Sequence, residues 1–234
     1  MKILGISDTT DTLIYSSVAP SLYKDVDMVI SAGDLPLRYY DYIATMLNKD
    51  VCWVYGNHNL EDWDRMMRRG SDQLKDFDDI SLGKKVQMMP RFGGLFTDGK
   101  VFYDKDRDLI IAGLGGSMLY NFGDSQYSEK QMARRILRIT PKLYAMKHLY
   151  GRYCDILVTH APPRGIGDAE DLCHKGFECF LSFMDKYKPK YLLHGHVHLD
   201  DMNAPRITQY NQTKVINIYK NFVIDDPELG ASRK

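Results

Sequence analysis

The chain has no excess charge of either sign: 31 Lys plus Arg stand against 31 Asp plus Glu. No overall field therefore draws it to nucleic acid or to an anionic membrane, and either kind of binding would need a local patch. The short basic clusters Arg65, Arg68, Arg69 and Arg134, Arg135, Arg138 read as solvated helix faces, so nucleic acid is not an expected partner. Long apolar runs are missing as well. Met1 to Ser7 carries one Lys and an apolar stretch too short for a signal peptide's core and far below a membrane span, so a cytoplasmic protein without membrane association is expected. Only four cysteines occur, Cys52, Cys154, Cys173 and Cys179, at no repeating spacing. Disulfides are not expected. Cys52 and Cys154 sit in apolar runs where a thiol behaves as a small hydrophobe, and Cys173, His174 and Cys179 lack the spacing of a zinc knuckle or ribbon. Solenoid repeats and low-complexity segments are absent.

What the chain does have is enough apolar surface for a core, 44% of 234 residues, spread along its length. One domain over residues 1–224 is expected, followed by a polar tail, residues 225–234, that frays and carries no chemistry. Short β-rich runs recur and end in polar or ionisable residues. Ile3 to Ile6 leads into Ser7 and Asp8, Val26 to Ile30 into Gly33 and Asp34, and Val51 to Tyr55 into Gly56, Asn57 and His58. Downstream, Ile156 to Val158 leads into Thr159 and His160, and Tyr191 to Leu193 into His194, Gly195, His196, Val197 and His198. Continuous apolar strands belong to sheets covered on both faces, and such sheets bind ligands beyond the carboxyl ends of their strands. Five strand ends are therefore expected to converge on one site.

Helical patterns lie between these runs, around Tyr39 to Leu47 and over Glu129 to Tyr150. Ser128 and Gln131 have the spacing of a capping box, and Pro141 is expected to kink or split the second helix. Val86 to Gly116, broken by several glycines, predicts antiparallel strands and turns of a second sheet.

Taken singly, Asp8 and Asp34 read as turn formers, Asn57 as a left-handed turn residue and His160 as a buried imidazole bonded to backbone. His196 and His198 point the same way from an extended segment, as two imidazoles on a transition metal would. Asp8, Gly33-Asp34, Gly56-Asn57-His58, His160 and Gly195-His196-Val197-His198, in that order and at strand ends, resemble the motif set of calcineurin-like metallophosphoesterases. The resemblance runs from Asp8 to His198. It implies an α/β fold, a two-sheet sandwich flanked by helices in four α/β/β/α layers. It also implies two divalent ions, Mn²⁺ foremost with Fe²⁺, Zn²⁺ or Mg²⁺ as alternatives, about 3.5 to 4 Å apart. One ion would take Asp8, Asp34 and His198; the other would take Asp34, the Asn57 oxygen, His160 and His196. His58 would be the catalytic group facing the phosphate. The implied reaction is hydrolysis of a small phosphomonoester or phosphodiester by a hydroxide held between the ions.

The pattern has departures. The first motif of that family is Asp, any residue, His, and here it reads Asp8, Thr9, Thr10. Threonine is a poor substitute for imidazole, so the first ion is expected to bind weakly. Asp11 is a candidate replacement ligand, directly or through water; it is equally a cap for a helix or turn. Leu37 and Asn59 stand where many relatives carry acids, which suits substrates with good leaving groups such as aryl esters. His194 reads as a structural or supporting histidine as readily as a ligand. Arg164, in a Pro- and Gly-rich loop after His160, is a candidate phosphate clamp or an exposed loop arginine. Arg38, Tyr39 and Tyr40 could line the same mouth, although aromatics opening a helix more often pack on core. The competing function is a catalytically weakened binding or scaffold protein of the same fold.

Overall fold

A computed structural model describes residues 1–58 and 94–230 of the chain. Asn59, Arg65, Arg68, Arg69 and the start of the glycine-broken segment, Val86 to Gly93, lie outside the described residues.

The first sheet is built on three parallel strands, β1 (Lys2–Ser7), β2 (Met28–Ser31) and β3 (Val51–Trp53), with β4 (Leu95–Phe96) beside β3. The second contains a hairpin, β5 (Val101–Asp104) and β6 (Leu109–Leu114), whose strand β6 continues in parallel to β9 (Ile156–Thr159) and β10 (Tyr191–His194). Its far edge is β11 (Ile207–Tyr210) paired with β12 (Thr213–Asn217), and β13 (Lys220–Asp225) crosses back to run antiparallel to β1. A two-stranded pair, β7 (Ser117–Met118) and β8 (Gln126–Tyr127), stands apart. The antiparallel strands expected in the middle segment are the β5–β6 hairpin, but β4, in the same segment, instead joins the first sheet parallel to β3.

Alternation along the strands sorts the core into three layers. Leu4, Ile6, Val29 and Trp53 face α1 (Ala19–Leu22) and α2 (Leu37–Leu47), where they meet Tyr40, Ile43 and Leu47. Ile3, Met28, Ile30 and Cys52 face the other way, against Ile111, Ile156, Val158 and Leu193 of the second sheet. The opposite face of that sheet, with Ile110, Ala112, Leu157 and Leu192, is covered by α3 (Glu129–Tyr150) and α4 (Glu178–Tyr187) through Ile136, Leu143, Phe180 and Phe183. Each buried aliphatic side chain contributes about 1.5–3 kcal/mol. Strands buried on both faces, such as β6 at every position, are therefore held chiefly by packing. These are the four α/β/β/α layers expected.

The capping box is present: Ser128 N–H donates to Gln131 Oε1 at 2.7 Å and Gln131 N–H to Ser128 Oγ at 3.4 Å. Pro141 does not split α3, which runs unbroken for 22 residues. Proline removes the bond to the Leu137 carbonyl and its ring crowds that group, but Leu137 is exposed, so water can satisfy the carbonyl while the buried stripe keeps the helix docked.

The tail also differs from expectation. Asp226 N–H donates to the Met1 carbonyl at 2.9 Å, the Asp226 carboxylate binds Tyr191 Oη and Lys190 Nζ at 2.7 Å each, and Leu229 is buried. Residues 225–230 pack because pairing with β1 carries the end of β13 onto the sheet. No helix among the described residues is long and apolar enough to cross a membrane.

Candidate metal centre

The parallel strands of both sheets deliver their carboxyl ends to one edge. Asp8 N–H donates to the Gly33 carbonyl at 3.1 Å, joining the exits of β1 and β2, and Gly195 N–H donates to the His160 carbonyl at 3.0 Å, joining those of β9 and β10. Just past the strands, Asp8, Asp34 and His196 adopt left-handed backbone conformations, with φ of 62°, 56° and 66°. Non-glycine residues held there cost about 1–3 kcal/mol each and cluster at functional sites. Two glycines make room. A Cβ at Gly56 would collide with the Asp34 carboxylate, and one at Gly195 with Asp8 and Ser7. Gly56 and Gly195 are thus explained by the approach of main chain to carboxylate.

On one side of the site, Asp34, Asn57 and His160 converge. His160 is fully buried, and its Nδ1 lies 2.8 Å from the Ala32 carbonyl, so that nitrogen carries a proton. Its Nε2 lies 2.9 Å from Asn57 Oδ1 and 3.2 Å from Asp34 Oδ2. A proton on Nε2 serves both oxygens, and a divalent cation can take its place, since metal ligands bind in their deprotonated form. Titration behaviour has the same origin. Burial opposes charge on His160, yet Asp34's charge and hydrogen bond outweigh it and raise its pKa, while burial's upward pull on Asp34 is overcome by His160 and by the His58 N–H. Asp8, Asp34 and His160 together form a group able to hold a metal ion, each offering a ligand atom within 4.8 Å of the others. Carboxylate, amide oxygen and imidazole are the donors that divalent first-row ions take, so the residues fit the implied metal.

His196 belongs to this side. Its ring centroid is 4.7 Å from that of His160, its Nε2 donates to the Cys173 carbonyl at 2.7 Å, and burial together with His160's charge lowers its pKa to about 4. It is therefore neutral, with Nδ1 as its lone-pair nitrogen. His196 N–H donates to both Asp8 oxygens at 3.1 and 3.0 Å.

The other side is open. His198 Nε2 lies 3.8 Å from Asp8 Oδ1, but the His198 side chain is 59% exposed against 2% for Asp8. Asp8 raises the His198 pKa, and the ring stacks on Tyr219 at 4.7 Å. Thr10 is exposed. Asp11 is engaged by other groups. Its carboxylate accepts from Leu13 N–H at 2.7 Å and from Asn221 Nδ2, with Lys220 Nζ 3.6 Å away, so it closes a local turn and anchors β13.

Other candidates resolve as follows. His58 is exposed at the rim, and its main-chain N–H donates to Asp34 Oδ1 at 2.8 Å. Arg164 is paired within its own loop with Asp168 at 2.8 Å and Glu170 at 2.9 Å. His194 is buried, its Nδ1 lies 3.0 Å from the Gly195 carbonyl, and burial lowers its pKa to about 4, so it supports the turn. Leu37, Tyr39 and Tyr40 are core residues, and Arg38 is exposed. Asp171, Cys173 and His174 form a second Asp/Cys/His group against His196, without Cys179. Sequence reasoning missed Tyr120, whose hydroxyl accepts from Asn57 Nδ2 at 3.1 Å, and Tyr219 under His198. No local pattern marks either.

Fold and site define a class: α/β sandwich proteins that gather metal-type donors at the carboxyl ends of parallel strands. The chain belongs to the calcineurin-like phosphoesterase family, whose model matches residues 1–200. It is 24% identical over 234 residues to a UPF0046 protein of Caenorhabditis elegans, covering 93% of this chain and 74% of that one. The crystal structure of TT1561 of Thermus thermophilus is similar with a TM-score of 0.57 at 14% identity, covering 94% of this chain and 89% of that one. A 5'-nucleotidase from Candida albicans is similar with a TM-score of 0.50 at 12% identity, over 92% of this chain and 44% of that one. At these identities the two structures speak for the fold alone.

Proposed function

We propose that the protein is a metal-dependent hydrolase of a small phosphoric ester, monoester or diester. The observation that supports this reading is the convergence of His160 Nε2, Asn57 Oδ1 and Asp34 Oδ2, at 2.9 and 3.2 Å, beside Asp8, a donor set that a divalent ion can take in place of the proton on Nε2. Asp34 would be shared by two divalent ions, with Asn57, His160 and His196 completing one site and Asp8 and His198 the other. The oxygen-rich second of these sets favours Mn²⁺. Bound there, the ions would lower the pKa of water and draw charge from phosphoryl oxygens. His58, at the exposed rim, would face the ester and stabilise or protonate the leaving oxygen. Because Leu37 is buried in the core, no acid at that position orients His58, and aryl esters with good leaving groups suit the site best.

The open side favours a second reading: Thr10 and His198 are exposed and Asp11 is bonded elsewhere, as in a fold that binds rather than hydrolyses. Metal-stripped protein, assayed on p-nitrophenyl phosphate and bis-p-nitrophenyl phosphate while Mn²⁺, Zn²⁺, Mg²⁺ or Fe²⁺ is added and bound metal is counted, separates the two. Turnover that grows with the second equivalent supports the hydrolase. A folded protein that takes up metal and turns over neither ester supports the binding module.

A further inference from the structure

We infer that Tyr120 is a positioning residue for the ion beside His160: it holds the Asn57 side chain with its oxygen toward Asp34 and His160, and Cys173 completes the arrangement. This rests on the two-ion reading above. A carboxamide has two ends of nearly equal shape, but only its oxygen can ligate a metal, and its neighbours decide which end points where. Here Asn57 Nδ2 donates to Tyr120 Oη at 3.1 Å while Oδ1 lies 2.9 Å from His160 Nε2. Flipping the amide would set two N–H donors where the ion belongs.

Tyr120 accepts from Asn57 with a hydroxyl lone pair, and burial followed by the neighbouring Cys173 side chain raises its pKa. Cys173 acts a second time through its main chain, whose carbonyl accepts His196 Nε2–H at 2.7 Å and leaves Nδ1 as the lone-pair nitrogen. Tyr120 is itself held in its loop between β7 and β8, where its N–H donates to Gln126 Oε1 at 3.2 Å. Two loop residues outside every family motif thus orient one ligand from each sheet. Partners of this kind typically govern metal affinity by 10- to 100-fold.

The test is calorimetric titration of the metal-stripped full chain with Mn²⁺, comparing wild type, Tyr120→Phe, Cys173→Ser and Asn57→Asp with and without Tyr120→Phe. In Tyr120→Phe one of two binding events should weaken by about 10- to 100-fold with the other and the melting temperature unchanged. Cys173→Ser, which keeps an acceptor and the carbonyl, should stay near wild type. In Asn57→Asp the two ends are both oxygen, so adding Tyr120→Phe should change Kd little; a merely structural tyrosine would cost as much there as in wild type. Equal affinities in wild type and Tyr120→Phe, or an undiminished effect on the Asn57→Asp background, overturn the assignment alone. A wild type that binds no Mn²⁺ overturns it together with the two-ion reading.

Discussion

On the side of the site built from Asn57, His160 and His196, each donor is buried and turned by a neighbour: Tyr120 for Asn57, the Ala32 carbonyl for His160, the Cys173 carbonyl for His196. On the other side only Asp8 is held comparably, by two bonds from His196 N–H, while His198 is 59% exposed and Thr10 stands where the family places an imidazole. Ligands already oriented lose little entropy on binding, whereas an exposed histidine and its loop must be ordered at that moment. The two ions should therefore differ in affinity, and dialysis should remove the one beside His198 first.

In the proposed two-ion site Asp34 would serve both sides, so its loss should erase the distinction. Asp34→Ala is expected to abolish uptake of both ions and to lower ester hydrolysis by at least the roughly 10²- to 10³-fold that removal of one charge-stabilising group costs; retention of two equivalents would show that Asp34 does not bridge. A pair of histidine variants probes the asymmetry directly. His160→Ala should cost about 2–4 kcal/mol of stability, through a cavity and an unpaired Ala32 carbonyl, whereas His198→Ala should stay within about 0.5 kcal/mol and weaken a single ion. Denaturant midpoints and metal counts read both, and equal stability losses would refute the contrast.

Asp11→Ala separates a ligand from a turn former. With Leu13 N–H and Asn221 on its carboxylate, the change should cost about 1 kcal/mol and leave metal stoichiometry as it was; loss of one ion would return Asp11 to the coordination sphere. The smallest effect is a gain. Thr10→His should tighten the weaker ion by about tenfold, roughly 1.4 kcal/mol, because the restored imidazole must still be drawn in from an exposed position. An unchanged Kd would mean that another group already serves there.

Much of the fold was legible because its signals are local. Parallel strands covered on both faces are written as unbroken apolar runs, and the residues just beyond them, Asp8, Asp34, Asn57, His160 and His196, fall at the shared edge by topology alone. The capping box at Ser128 needs only three residues of context. Segments with a weaker local signal fared worse: Pro141 did not divide its helix, because packing of the buried stripe outweighs one missing bond, and residues 225–230 are docked through Asp226 and Leu229.

The sequence by itself determined the apolar strands, their converging ends and the types of donor at them, since each follows from periodicity and residue chemistry along a short stretch, while the layers were implied by the family resemblance. Tertiary structure alone decided which way the donors face and which charged groups are already engaged: Asp11 by Asn221, 210 residues away, Arg164 by Asp168 and Glu170, and Asn57 by Tyr120, 63 residues away. Such assignments depend on hydrogen bonds that act over about 3 Å and in fixed directions, between groups that only the folded backbone brings together.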